Sequence, residues 1–257
     1  MKVLLQISVL FMGILLINTS ASGQLVSDLS SHEIELRYSF TGRDLMLFGA
    51  IDHLGAAEDA GDYDIVVVIK GPTTPVVVRR KDKVAGIWMN NASITYNGIP
   101  SYYAFASNRP LEEIATNKIL EELHLGIEHI TFERFQSINE GVGDENMAGF
   151  KNGLIRNKIA SNLYQEVSDR FTLMNNTLFR SEFYIPSNVP VGDYDARVYL
   201  FKEGEYISSQ ETGLNVNKAG FSRAVYTLSK EHPATYGIIA ILIALSVGWF
   251  VGVVAKD

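Results

Sequence analysis

The sequence predicts a mainly β fold with inserted helices: an immunoglobulin-like β-sandwich ectodomain, of one or two units, followed by one C-terminal transmembrane helix. Three observations predict it. Short β-branched and aromatic runs, punctuated by glycine and proline, occupy both flanks of the chain. Two stretches with apolar residues at helical spacing lie between those flanks. Near the end, Tyr236–Ala255 carries no charge, and roughly 20 apolar residues are what a helix needs to cross the hydrocarbon of a bilayer. A helix of this length in a soluble core would show a polar face, and here Ser246 and the indole of Trp249 are all there is.

The elements follow in order. Lys2, the apolar run Val3–Ile17 and the small residues of Asn18–Gln24 read as a secretory signal, which sends the middle of the chain outward and returns it through the C-terminal helix. Ile34, Leu36, Tyr38 and Phe40 alternate with polar neighbours as a half-buried strand does. Thr41–Asp44 turns the chain into Leu45–Ile51, and Tyr63–Ile69 is a β-branched run suited to burial on both faces. Gly71-Pro72 breaks it, and Val76–Val78 and Ile87–Met89 resume. Pro110, Glu112 and Glu113 open a helix with Leu111, Ile114, Ile119 and Leu123 as its stripe, ended by Gly126. Phe150, Leu154, Ile155, Ile159 and Leu163 form the stripe of a second helix. Strands return over Leu178–Ile185 and Ala196–Phe201, and Gly204 reverses the chain into Tyr206–Ser209, with Tyr194 placed as a corner tyrosine.

The divisions expected are a signal peptide over 1–23, an N-terminal β-sandwich domain over 24–107 and a helical segment over 108–168. A C-terminal immunoglobulin-like β unit over 169–218, a juxtamembrane segment over 219–234, the transmembrane helix over 235–255 and a cytoplasmic tail over 256–257 complete them. Gly61–Asp64 and Gly192–Asp195 are identical, and Leu47-Phe48 and Leu178-Phe179 precede them at the same spacing. Duplication of a sandwich unit would produce this, and so would turn chemistry alone.

Composition narrows the function. A net charge of -7 argues against nucleic acid as a partner. The absence of cysteine excludes disulfide scaffolds, thiolate nucleophiles and Cys-ligated zinc. No glycine-rich phosphate loop, dinucleotide fingerprint or nucleophile elbow occurs. His124 and His129 lie near Glu121, Glu122 and Glu128, but their spacing departs from the helical zinc-protease pattern. Asp52, Glu58, Asp59, Asp62 and Asp64 crowd one loop without a calcium-loop spacing, so a solvated loop is the simpler reading. No cofactor, metal or catalytic residue is therefore expected, and the chain reads as a non-enzyme. Arg79 and Arg80, with Lys81 and Lys83 beside them and Arg109 joining, are candidates for contact with an anion or an acidic partner; a charged strand edge is the bland alternative. Trp88, Tyr102, Tyr103 and Phe105 are core residues first and candidates for a ligand groove second. Ala240, Ala244, Gly248 and Gly252 recur every fourth residue, a small-residue face suited to close approach of another helix, from a second copy or from a polytopic protein.

Read together, several segments resemble a family of alphaproteobacterial transmembrane proteins. They are Phe40–Ala50, Val84–Asn90, Pro100–Ile114, Thr177–Arg180, Pro190–Tyr194 and Gly220–Arg223, with Tyr236-Gly237 opening and Gly248-Trp249 closing the last helix. The resemblance implies a single-pass inner-membrane protein with a periplasmic domain and a cytoplasmic C-terminus, and it carries no catalytic residues. It also implies a loose association with permeases of the sulfite-exporter type. The function expected is thus an interaction or accessory module at the lipid bilayer for a membrane partner such as a transporter. A periplasmic small-ligand or anion-binding protein is the alternative, with a pocket lined by Trp88, Tyr102 or Tyr103 beside an arginine. A hydrolase or metalloenzyme is disfavoured, since no nucleophile–base pair is visible.

Overall fold

The computed structural model describes residues 24–37, 39–52, 63–137, 144–218 and 220–254. The segment read as a signal peptide (1–23), Tyr38, most of the acidic loop with Glu58, Asp59 and Asp62, and the last two residues lie outside the described residues.

Thirteen strands are described: β1 (Gln24–Leu29), β2 (Glu33–Leu36), β3 (Gly42–Asp52), β4 (Tyr63–Lys70), β5 (Thr73–Val84), β6 (Ile87–Pro100), β7 (Tyr103–Ser107), β8 (Glu133–Ser137), β9 (Tyr164–Glu166), β10 (Phe171–Met174), β11 (Leu178–Pro186), β12 (Gly192–Lys202) and β13 (Glu205–Lys218). The helices are α1 (Leu111–Ile114), α2 (Asn117–Leu123), α3 (Asp144–Ala160), α4 (Gly220–Glu231) and α5 (Pro233–Val254). A four-stranded sheet runs β1-β3-β11-β10 and a six-stranded sheet runs β2-β13-β12-β4-β7-β9. The long β5–β6 ribbon, with β8 beside it, makes a third.

The first two sheets share one core. Leu45, Leu47, Phe179 and Phe183 from the four-stranded sheet meet Ile65, Val67, Val198 and Leu200 from the six-stranded one. The opposite face of the six-stranded sheet presents Val66, Val68, Tyr199 and Phe201, covered by Leu111, Ile114, Leu120 and Leu125. Strand β4 is therefore buried from Tyr63 to Ile69 without a break, as its β-branched run predicts. Each isoleucine or valine of this strand withdrawn from water contributes about 1.5–3 kcal/mol. Within the four-stranded sheet Gly49 leaves no room for a side chain: an added Cβ would fall 2.4 Å from the Val26 carbonyl oxygen and 2.5 Å from the Phe179 ring.

Residues 24–107 and 169–218 do not occupy separate sheets. Leu47-Phe48 lies in β3 and Leu178-Phe179 in β11, and these strands pair antiparallel, Ala50 opposite Leu178. Strands β4 and β12, which carry the two Tyr-Asp pairs, also pair, Lys70 opposite Asp195. Reading either strand order backwards exchanges β3 with β11, β4 with β12 and β7 with β13. The two parallel pairs, β13 with β2 and β7 with β9, exchange as well.

The helical middle departs from expectation. One helix from Leu111 to Leu123 is instead two short ones, because Ala115 adopts an extended conformation (φ -148°, ψ 160°) between them. His124 then closes α2 in the left-handed conformation. In α3, Phe150 and Leu154 pack against Ile94, Tyr96 and Ile99 of β6, while Ile159 stays exposed.

Tyr194 makes the corner contact that its position suggests: its hydroxyl donates to the Pro190 carbonyl at 2.6 Å. Burial pushes its phenol up to about 12 and raises those of Tyr102, Tyr103 and Tyr164 as well. Replacing Tyr194 by Phe should cost about 0.5–1.5 kcal/mol, because the hydroxyl's hydrogen bond to the Pro190 carbonyl is lost; chemical denaturation of the detergent-solubilised chain reads this. The raised phenols leave stability flat below the unfolded tyrosine value near 10, and it falls as pH rises from there toward 12. The phenolate absorbance of these four buried tyrosines should accordingly appear together with loss of near-ultraviolet dichroism rather than before it.

Candidate functional site

Three features outside the sandwich core carry unusual chemistry: a clamped arginine beside a cleft, a projecting ribbon, and the apolar α5.

Arg109 follows β7 and is held rather than offered. The Asp64 carboxylate, 2% exposed, accepts from Arg109 Nε at 2.8 Å, from its terminal guanidinium nitrogen, and from Asn108 Nδ2 at 2.8 Å. Asn108 Oδ1 in turn accepts the Ile65 amide at 2.9 Å, so the network pins the start of β4 to the entry of α1. A bidentate guanidinium–carboxylate pair leaves little of that charge for another anion. Beside it lies a cleft of about 450 Å3 between Phe105, Leu111, Ile155 and Ile159, with Glu112, Glu128 and Glu166 at its walls. Its hydroxyls are engaged locally: Ser107 donates to the Arg109 carbonyl at 2.7 Å and Ser168 to Glu166 at 3.2 Å.

Arg79 and Arg80 are elsewhere. Both lie exposed on β5, Arg80 donating to Asp82 at 3.2 Å with its guanidinium 5.8 Å from the Phe150 ring centre. Strand β5 leaves the sandwich at the Lys70 end of β4, whereas Arg109 stands near the opposite end, past the Val66–Ser107 pair. The three arginines therefore do not converge on one anion site.

The aromatic groove does not assemble either. Tyr102 and Tyr103 are fully buried on opposite faces of the six-stranded sheet. The Tyr102 hydroxyl donates to the Tyr184 carbonyl at 2.9 Å; that of Tyr103 donates to the His124 carbonyl at 3.1 Å and accepts the Gly126 amide at 2.9 Å. Trp88 lies at the far tip of the ribbon and Phe105 is buried. Tyr103 does border a small cleft of about 250 Å3 with Lys70, His124 and Asp195. Burial there, reinforced by Arg197 and opposed by Asp195, lowers the Lys70 amine below its usual range.

Among the described residues no group of three His, Asp or Glu side chains is placed to hold a metal. His124 Nδ1 sits 3.1 Å from Thr131 Oγ1, and His129 lies on a separate turn (Ile127–His129).

The tip of the β5–β6 ribbon escapes sequence reasoning. Ala85 and Gly86 both take positive φ, 50° and 88°, the requirement of a two-residue hairpin turn. Around them Val84, Ile87, Trp88 and Met89 are all exposed. The signal was present, an Ala-Gly pair between apolar residues behind Lys81 and Lys83, but Ile87–Met89 looks like any core strand when read alone.

Helix α5 stands clear of the fold. Pro233 opens it, and Pro233–Gly252 is long and apolar enough to cross a membrane, with none of its apolar window buried in the protein. Ser246 satisfies its hydroxyl on the Leu242 carbonyl at 2.7 Å, as lipid surroundings demand. The family model described as "Putative transmembrane protein (Alph_Pro_TM)" matches residues 24–257. The chain belongs to this family. Membership and α5 together fit a single-pass membrane protein carrying a β-rich domain. No curated protein and no solved structure matches the chain.

Asp64→Asn should lower stability by about 1.5–3 kcal/mol, the worth of hydrogen bonds to a charged group, discounted because Arg109 is 46% exposed and rehydrates. A double-mutant cycle with Arg109→Gln, read by thermal unfolding, should return most of that as coupling.

Proposed function

We propose that this protein is a membrane-anchored, non-enzymatic interaction module, an accessory to a membrane partner such as a transporter. In this reading the sandwich stands on the periplasmic side of the inner membrane and the C-terminus in the cytoplasm. The observation that carries it is α5 itself, a membrane-length helix with a small-residue band that nothing in the described protein covers. A Cβ added at Gly248 or Gly252 would meet no atom within 4 Å. Against lipid such a band gains nothing over leucine, whereas against another helix it permits close backbone approach. Ala240 and Ala244 extend the band toward the sandwich end of the helix. The corner at Tyr194 supports an immunoglobulin-like kinship for the sandwich, an architecture common among interaction domains. The small-ligand alternative lacks comparable support, because Arg109 is neutralised by Asp64 and Tyr102 is sealed in the core.

Crosslinking in native membranes or mild detergent should recover the chain in a complex with a second membrane protein. Gly248→Leu with Gly252→Leu should abolish the complex while the more apolar helix still inserts. Recovery of monomer alone from the unaltered chain would sink the proposal.

A further inference from the structure

The β5–β6 ribbon is a continuation of the β4–β7 ladder. Lys70 pairs with Tyr103, the Gly71 amide donates to the Tyr102 carbonyl at 2.8 Å, the Ser101 amide donates to the Pro72 carbonyl at 2.9 Å, and Thr73 pairs with Pro100. The two-stranded ladder thus runs past the end of the sandwich. That end is also where β13 finishes: Gly192, which abuts Pro72, pairs with Val216, and Lys218 leads into α4 and then α5. The ribbon and the membrane helix leave the domain from the same end. Twelve residues of β5 span about 40 Å at roughly 3.3 Å each, while the twelve of α4 span about 18 Å at 1.5 Å each, so the ribbon is long enough to reach the surface that α5 enters.

Its composition changes along its length. The base is packed: Ile94, Tyr96 and Ile99 lie under Phe150 and Leu154 of α3. Beyond it come the exposed cations Arg79, Lys81 and Lys83, which alternate onto one face of β5 with Trp88 opposite Lys83. The tip is apolar on both faces, with Val84, Ile87, Trp88 and Met89 exposed by 44, 70, 67 and 51%. Water is a poor solvent for four such side chains on an unsupported hairpin. A bilayer interface is a good one: the apolar tip enters the acyl boundary, tryptophan favours the headgroup level, and lysine and arginine just behind meet anionic headgroups.

We propose that the β5–β6 tip, Val84 to Met89 with Arg79, Lys81 and Lys83 behind it, is a second membrane contact that docks into the headgroup region of an anionic bilayer, the one α5 crosses. The ribbon and α5 together then hold the domain at two points on the membrane.

The two tryptophans of the chain allow a direct test. Full-length protein carrying Trp249→Phe keeps Trp88 as its sole tryptophan, and is reconstituted into phosphatidylcholine vesicles containing phosphatidylglycerol, with or without brominated acyl chains. The expected result is blue-shifted Trp88 emission that bromolipid quenches and aqueous acrylamide does not. Omitting phosphatidylglycerol, or introducing Lys81→Gln with Lys83→Gln, should weaken the bromolipid quenching. Ile87→Ser with Met89→Ser should abolish it with near-ultraviolet dichroism unchanged, because these positions lie outside the packed clusters. Water-like emission quenched by acrylamide alone would overturn the proposal. So would shielding that persists in detergent and grows with protein concentration, which would assign the tip to a second copy of the chain.

Discussion

The organisation of this protein depends on a strand that has no side open to water. Seven consecutive residues of β4, Tyr63 to Ile69, are buried, so both faces of the six-stranded sheet need a cover. The four-stranded sheet supplies one and the α1–α2 segment the other. The polar groups at the head of β4 must then be satisfied in place, and Asp64 with Asn108 and Arg109 does this. A residue that looked available for an anion is instead part of what keeps the helical cover against the sheet.

Much of the architecture was legible because it follows from period and punctuation. The β-branched run of β4, the Pro-x-Gly-x-Tyr corner and the Gly204 reversal each describe local geometry that the structure adopts. The single helix read over Leu111–Leu123 was a misreading with a visible cause. Its stripe takes a five-residue step from Ile114 to Ile119, which no helical face accommodates, and the chain breaks at Ala115. The interleaving of the two halves could not be read at all, since it depends on which strands pair across more than a hundred residues.

The candidate site was less legible, for the same reason. Arg79, Arg80 and Arg109 share a charge, but the sandwich separates them along a ladder whose length the sequence does not announce. Tyr102 and Tyr103 are neighbours in sequence, and strand alternation sends them to opposite cores. Trp88 shares their aromatic character and none of their burial. The α5 helix was the exception. Its identity lies in composition and length alone, and its family membership bears that reading out.

The interleaved sheets also set an order of events for the newly made chain. Strands β3 and β4 each have one neighbour in the first half, β1 and β7, but find the other only in β11 and β12, and β2 must wait for β13, which ends at Lys218. Neither half can close a core by itself, so cooperative folding must await nearly the whole polypeptide, with long loops to close before any of these pairings forms. Pro233 follows within one short helix of that last strand. Maturation of the domain and its capture by lipid are therefore bound together in time, and a chain truncated before β13 would emerge with β12 and β2 lacking the strand that joins them.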